Sequence, residues 1–452
     1  MPRQIIVKVI SVAGITIGLL IPLTMIRGLI QERSLFREQA RTDIAESWTG
    51  AQNVLGPVLT VPFAIEDVSV GVGHRKQTKR ILLPEELRIT ASLRTERRKR
   101  GLYSVPVYHT QLQIVGSFDV RSLAGIAEAD PRNFLEDATL AIAISDNRGI
   151  AKAPVLTWDG QTKEFRSGCG LPGVGNGVRS TVGIIDPLRS TRYAFRIDLE
   201  LRGMESISFA PVGRDTRVTL DAAWPHPSFT GRFLPVEYSI EDGGFQAEWS
   251  VSHLATNPAD TIARLSEASG HNLWVDSFGV SLITPVDVYQ QASRSVKYGS
   301  LFVILTFTAF FLVEISRKLM FHAMQYLLIG MALVIFFLLL LSLSEHLPFG
   351  VAYLVAAVAC IGLVGTYLSS SLGRMSSGVS IVTVLSGLYG MLYAILKSED
   401  NALLMGSLLL FVALAAVMIV TRKLDWYKLA SQIGPAKTNT GGVTPEGSST
   451  SP

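Results

Sequence analysis

The chain has 452 residues, 48% of them hydrophobic, with 41 basic and 37 acidic side chains and a net charge of +4. That excess is small for the length and does not suggest a nucleic-acid binder, whose basic residues gather on one face. Two cysteines, Cys169 and Cys360, give no disulfide framework and no metal-type spacing.

Residues 9–26, "VISVAGITIGLLIPLTMI", carry no charge and follow Arg3 and Lys8. A helix needs roughly 20 apolar residues to cross the hydrocarbon core, so this run reads as a first crossing. A cleaved signal peptide is the rival reading. The length of the run, Pro22 near its end and the lack of a small-x-small cleavage site favour an uncleaved anchor. Leu29, Ile30, Phe36, Ala40, Ile44 and Trp48 then recur at helical spacing. The anchor should therefore continue as an amphipathic helix to about residue 49.

Residues 27–296 form one long polar insert. Turn signals punctuate it, among them "LGPV" at 55–58, "LPEE" at 83–86, "DNRG" at 146–149, "WDGQ" at 158–161 and "EDGG" at 241–244. Between them lie β-branched or alternating runs. In "RYAFRIDLELRG", Ala194, Arg196, Asp198 and Glu200 alternate with Phe195, Ile197, Leu199 and Leu201, the pattern of a strand with one wet face. Besides the leading helix, "PRNFLEDA" at 131–138 is the main helical exception. The expected architecture is a β-sandwich or a pair of β-rich lobes.

Only eight charged residues fall between 299 and 421. Five further crossings are predicted there, at 298–313, 326–343, 351–369, 379–396 and 402–420. The first is short, and Lys297 and Glu314 at its ends can reach toward the headgroups. Arg317 and Lys318 lie one turn from Glu314 and can pair with it. With the N-terminus in the cytoplasm, basic residues concentrate in the short inner loops and only Lys397 falls in a short outer one. Arg27, Arg33, Arg37 and Arg41, just past the first crossing, run against that asymmetry. Glu345 is the only formally charged residue between 319 and 373, and it stands in "SLSEH" beside His346. Pro348 and Gly350 follow, so the carboxylate is expected at a turn among headgroups and water rather than deep in the bilayer. The tail, 422–452, has no apolar period and is expected to be disordered.

"GCGLPG" at 168–173 matches the dinucleotide-binding glycine pattern, but Pro172 and the continuing "VGNGV" point to a loop. "RTERRKR" at 94–100 is the densest charge cluster. It suits anionic lipid or surface polysaccharide, or simply a solvated hairpin edge. The seven histidines are not paired at metal-ligand spacing, and neither a nucleophile elbow nor a P-loop occurs. Inside the membrane block, Thr306, Thr308, Ser342, Thr383, Ser386, Tyr389 and Tyr393 are polar but uncharged. Gly362, Gly365, Gly387, Gly390 and Gly406 suit tight helix packing.

Four stretches resemble the CreD family of bacterial inner-membrane proteins: "RGLYSVPVYHTQLQIVGSF", "FGVSLITPVDVYQQASRSVKYGSLFVILTFTAFFLVEI", "QYLLIGMALVIFFLLLLSLSEHLPF" and "ALLMGSLLLFVALAAVMIVTRKLDWY". The resemblance runs from about residue 7 to 427 and is most specific in the C-terminal block. It implies an inner-membrane protein associated with cell-envelope integrity, with expression often tied to a two-component sensor system and envelope stress. It supplies no reaction, so no catalytic, cofactor or metal residue is carried over.

The combined reading is an α+β membrane protein, a six-helix transmembrane bundle with a large β-rich, sandwich-like periplasmic domain. Its parts are a first transmembrane helix (1–26), a periplasmic domain with a leading amphipathic helix (27–296), five transmembrane helices (297–421) and a cytoplasmic tail (422–452), with both termini cytoplasmic. The expected function is non-enzymatic support of the envelope or of its stress response, by binding or sensing through the outer domain. The alternative is a transporter or lipid-handling protein. Glu314, Tyr326, Glu345 and His346 are the candidate functional residues. The expected partners are the lipid bilayer and envelope proteins or lipids, with no cofactor and no nucleic acid.

Overall fold

The computed structural model describes residues 2–66, 75–129, 133–134, 136–172, 174–257, 276–284, 288–317, 321–372, 375–398 and 401–422. They divide into two compact units. One takes the described residues of Met1–Leu35 and Val286–Pro452, the other Phe36–Pro285. Helix α1 (Pro2–Ser47) contributes to both. The expected tail lies outside the described residues from 423 on.

The unit Phe36–Pro285 is a β-sandwich. Among the described residues, one eight-stranded sheet runs Pro227–Gly231, Phe278–Leu282, Ser206–Ala210, Gln52–Glu66, Ala138–Ile144, Gly177–Gly183, Arg166–Ser167, with Arg75–Leu82 paired onto Gln52–Glu66. The other runs Glu237–Glu241, Gly244–Ser252, Asp215–Ala222, Glu86–Arg100, Tyr103–Asp119, Arg192–Met204, Val155–Trp158, Gln161–Glu164. Most pairings are antiparallel; Gln52–Glu66 with Ser206–Ala210, and Asp215–Ala222 with Glu86–Arg100, are parallel. In Arg192–Met204 buried and exposed residues alternate from Arg192 to Leu201, as the sequence pattern predicts. Inward side chains of both sheets meet in one core. There Trp249 lies 5.6 Å from the ring of Phe278 and 5.7 Å from that of Phe229, each on the opposite sheet.

The turn signals hold at "WDGQ" and "EDGG", where two residues close each hairpin. "LGPV" does not end a strand. Gln52–Glu66 is continuous and takes up Gly56 and Pro57 as a bulge, with its register shifting between Leu55 and Val58. Gly56 has φ +120, and a Cβ there would stand 2.9 Å from the Ala141 carbonyl, so only glycine fits. Parts of 131–138 lie outside the described residues. The described helix of this region, α2, comes earlier, at Ala124–Ala129, and Ala138 already opens a strand.

The other unit is helical. With α1 it contains α3 (Val288–Lys297), α4 (Gly299–Arg317), α5 (Ala323–Ser344), α6 (Phe349–Leu372), α7 (Met375–Lys397) and α8 (Ala402–Thr421). Among the described residues, four stretches are long and apolar enough to cross a membrane: Ile10–Ser47, Ala323–Ser344, Phe349–Ser370 and Val379–Lys397. The pair α3 and α4, bent by 46°, makes a fifth if taken as one span. The sixth expected crossing corresponds to the shorter apolar helix Leu404–Ile419.

Leu19, Leu23, Ile26 and Ile30 are buried at three- and four-residue spacing, which is the stripe α1 presents to its own unit. Gly330 of α5 allows the approach, since a Cβ there would meet Leu19 Cδ1 at 2.3 Å. Of the five glycines expected at helix contacts, Gly365 has such a neighbour, Val382, at 2.7 Å. The other four have nothing within 4 Å.

Candidate functional site

The four sequence candidates separate into two pairs at opposite ends of α5. Tyr326 and Glu345 are nineteen residues apart, which spans roughly 28 Å of helix.

At the first end, Glu314 is on the last turn of α4 and is 9% exposed. It does not reach outward as the sequence suggests. Its Oε1 accepts the Phe321 backbone N–H at 3.2 Å and its Oε2 accepts the Tyr326 hydroxyl at 3.0 Å. A carboxylate taken out of water needs such donors. Both come from the start of α5, whose N-terminal dipole also favours the negative charge. The free N–H groups nearby are covered by a capping box. His322 Nδ1 accepts from Met324 N at 3.3 Å, and Gln325 Oε1 accepts from His322 N at 2.9 Å. Phe307 and Phe321 flank the Tyr326 ring at 5.5 and 6.1 Å. The expected pairing of Glu314 with Arg317 and Lys318 lies outside the described side chains.

At the other end Glu345 forms the C-cap of α5 and begins the turn into α6. The turn is as expected; the wet carboxylate is not. The side chain is 11% exposed, and its Oε1 accepts the Tyr289 hydroxyl at 3.2 Å and lies 3.7 Å from Arg33 Nε. It thus joins α1, α3 and the α5–α6 turn. His346 is exposed, and its backbone N–H donates to Leu343 O.

Tyr289 and Arg33 were missed as site residues. The available signal was the arginine series whose charge opposed the topology rule. These arginines have structural partners: Arg27 donates to the carbonyls of Val296 and Lys297 where α3 ends, and Arg41 forms an ion pair with Glu205 at 2.5 Å.

Between the two carboxylates the bundle interior is aromatic. Phe302, Phe336, Tyr353 and Tyr389 are all buried, with ring centroids 4.8 Å apart for Phe302–Tyr389 and Phe336–Tyr389 and 5.4 Å for Phe336–Tyr353. The Tyr353 hydroxyl donates to Tyr389 O at 2.6 Å, and the Cys360 thiol donates to Ala332 O. The Tyr353 hydroxyl and the Cys360 thiol are thus satisfied inside the unit, while among the described residues the buried Tyr389 hydroxyl has no hydrogen-bond partner and no line of charges runs through this layer.

In the sandwich unit, the last turns of α1 lie on the outer face of the second sheet. Ile44 packs with Val105, Val107 and Met204, and Trp48 sits beneath Arg98, 3.6 Å from the ring centroid. Arg148 closes the helix end by donating to the carbonyls of Glu46 and Ala45. Asp146 accepts from Thr49 and Arg148, and the Arg148 guanidinium holds its carboxyl below the ordinary range. Farther along this face an open groove of about 390 Å³ is lined by Thr90, Ser92, Gln111, Gln113, Lys152 and Glu200, among others. Such a lining offers hydrogen bonds in both directions to a polar ligand. "RTERRKR" is the tip of the hairpin Glu86–Arg100/Tyr103–Asp119. It projects past Leu93, the last residue paired to Asp215–Ala222, with Arg98 over Trp48 and Arg100 3.0 Å from Asp43.

"GCGLPG" lies in the loop after Arg166–Ser167, as expected. Burial pushes the Cys169 thiol up, and it donates to Val174 O at 3.0 Å. Among the described residues no group of three His, Cys, Asp or Glu gathers as a metal site would.

Several helices able to span a bilayer, joined to a large β-sandwich, define a multi-pass membrane protein with one substantial extramembrane domain. The family model described as "Inner membrane protein CreD" matches residues 4–427. The Inner membrane protein CreD of Escherichia coli (strain K12) is 35% identical over 424 residues, covering 93% of each chain. The chain belongs to the CreD family of inner membrane proteins. Among solved structures, two of an M1 zinc metallopeptidase from Deinococcus radiodurans align at TM-scores of 0.19 and 0.20 with 10% identity, over 37% of this chain and 38% of theirs. A likeness that slight bears on neither fold nor chemistry.

Proposed function

We propose that the protein supports cell-envelope integrity or its stress response by binding or sensing through the sandwich, without catalysis. In this reading the bent pair and Leu404–Ile419 both cross, giving six spans, both termini are cytoplasmic and the sandwich is periplasmic. The observation that carries the reading is the open groove on the sandwich, where Gln111, Lys152 and Glu200 stand among apolar side chains such as Leu112 and Val155, in a chain whose described helical interior is packed with aromatics. Transport or lipid handling along Glu314, Tyr326 and Glu345 fits less well, because that aromatic layer intervenes and each carboxylate is committed to local donors.

Two experiments test this. Reporter fusions at Asp159–Gly160 and at the C-terminus should report opposite sides of the membrane; the same side for both removes the topology. Photo-crosslinkers at Gln111 and Lys152 should trap an envelope component under envelope stress, whereas a crosslinker at the exposed Arg189, in the turn before Arg192–Met204, reads background. No adduct above that background counts against binding at the groove.

A further inference from the structure

The two edges of the second sheet differ. One edge strand, Gln161–Glu164, is polar and includes Lys163, the usual protection against stray pairing. The other, Glu237–Glu241, pairs with Gly244–Ser252 on one side, and among the described residues no strand pairs with it on the other. Here apolar residues alternate and face out. Leu234 is 70% exposed, Val236 67%, Tyr238 63% and Ile240 47%. They continue the core side of the sheet, because Tyr238 registers with Ala247 and Ile240 with Phe245, both buried. The Tyr238 ring lies 5.3 Å from Phe229 on the edge strand of the opposite sheet, so both sheets end at this corner.

The opposite face of the strand is acidic. Glu237 registers directly across from Glu248, with Glu241 four pairs along on the same face and Asp242 beyond. Like charges directly opposed across strands are unfavourable. Arg217, 3.5 Å from Glu248, partly compensates them. An added strand here would meet an apolar stripe on one face and carboxylates on the other. A second copy fits poorly, since antiparallel pairing about Ser239 sets Glu237 against Glu241. An anionic lipid surface fits poorly for the same reason of charge.

We propose that Glu237–Glu241 is a docking strand for an extended polypeptide segment in which basic and apolar residues alternate. Backbone pairing supplies affinity, Val236, Tyr238 and Ile240 hold the apolar side chains, and Glu237 and Glu241 select the basic ones. This deepens the binding role proposed above and rests on it, while naming a different surface from the groove.

The test uses the full chain in nanodiscs of zwitterionic lipid and two nine-residue peptides, one alternating lysine with valine, the other glutamate with valine. The lysine peptide is expected to bind roughly tenfold tighter, as opposed rather than like charges meet. It should also slow amide hydrogen exchange across 236–241. Glu237→Lys with Glu241→Lys should reverse the preference; both positions are exposed, and an unchanged melting temperature verifies the fold. The proposal is overturned if charge reversal leaves the preference unchanged or if protection appears elsewhere. It also falls if the 236–241 amides already exchange slowly without peptide, because the edge is then covered by the chain itself, or if anionic vesicles protect them as well as the peptide does. If the edge fails while crosslinkers at the groove still trap an envelope component, the docking strand falls and the binding role stands.

Discussion

The sandwich and the helical unit treat charge in opposite ways. On the sandwich, alternation sends charged side chains to the wet face, where Arg196 lies 3.2 Å from Asp198 and Arg217 3.5 Å from Glu248 with every partner at least 41% exposed. Pairs of this kind contribute little to stability. In the helical unit two carboxylates are withdrawn from solvent, and each is held by donors from a different segment of the chain. Where water is scarce, a charge must be matched by structure, so the same residue type changes from surface cover to fastener.

The contrast is sharpest at the extremes. Trp249 is 0% exposed, packs between the sheets and donates its indole N–H to Phe233 O at 3.2 Å. Trp249→Ala should destabilise the sandwich by about 3–5 kcal/mol, whereas Arg196→Ala on the wet face should stay within about 0.5 kcal/mol. Thermal unfolding followed by near-UV circular dichroism measures both, and comparable losses would erase the distinction between core and cover. Glu314→Leu comes next. It leaves the Phe321 N–H and the Tyr326 hydroxyl buried without their acceptor, which should cost the bundle about 1–3 kcal/mol. Glu314→Gln keeps one carbonyl oxygen and should lose less than half as much. Unfolding in mixed detergent reads the difference; a neutral leucine variant would mean that Glu314 is no fastener.

How much of this the sequence carried depends on the range of the interaction. Strand 192–204 was legible because its alternation is a local property of one wet and one dry face. The apolar spans were legible because their composition alone excludes charge. Glu314, Tyr326 and Glu345 stood out as polar residues in apolar surroundings, and the structure gives the three side chains specific hydrogen bonds. What stayed hidden was the identity of their partners. Arg27 meets the Val296 carbonyl across 269 positions of chain, and no local spacing encodes that meeting. Arg33 was visible only as an exception to the charge rule. "LGPV" was misread because glycine and proline serve a bulge as readily as a turn, and only the neighbouring Ala138–Ile144 strand distinguishes the two.

The Arg33–Glu345 contact tests whether the second carboxylate is a fastener too. Arg33 is 40% exposed, so the pair should be worth no more than about 1 kcal/mol. Arg33→Glu and Glu345→Arg should each destabilise the bundle, and the double exchange should recover most of the loss, with Tyr289 left to adapt. Non-additive recovery in unfolding experiments identifies the ion pair; simple addition of the two losses would assign Glu345 to Tyr289 alone.

The smallest effect is expected where the sandwich borrows the bundle's device. Asp146 is an acid on the sandwich that behaves like the buried ones, accepting from Thr49 and Arg148 beside the end of α1. Its carboxyl is held below the ordinary carboxylate range, chiefly by the Arg148 guanidinium. A depressed folded-state value means that the stabilisation is complete above about pH 4, the ordinary value for a free aspartate. It is lost as pH falls through the lower folded value, when the folded protein must also take up the proton. Asp146→Asn should therefore lower the melting temperature of the sandwich slightly at pH 7 and flatten its decline below pH 4. Melting curves of the two proteins should approach one another as the pH drops. If they stay parallel down to pH 2, Asp146 carries no linked proton, and charge on the sandwich is surface cover throughout.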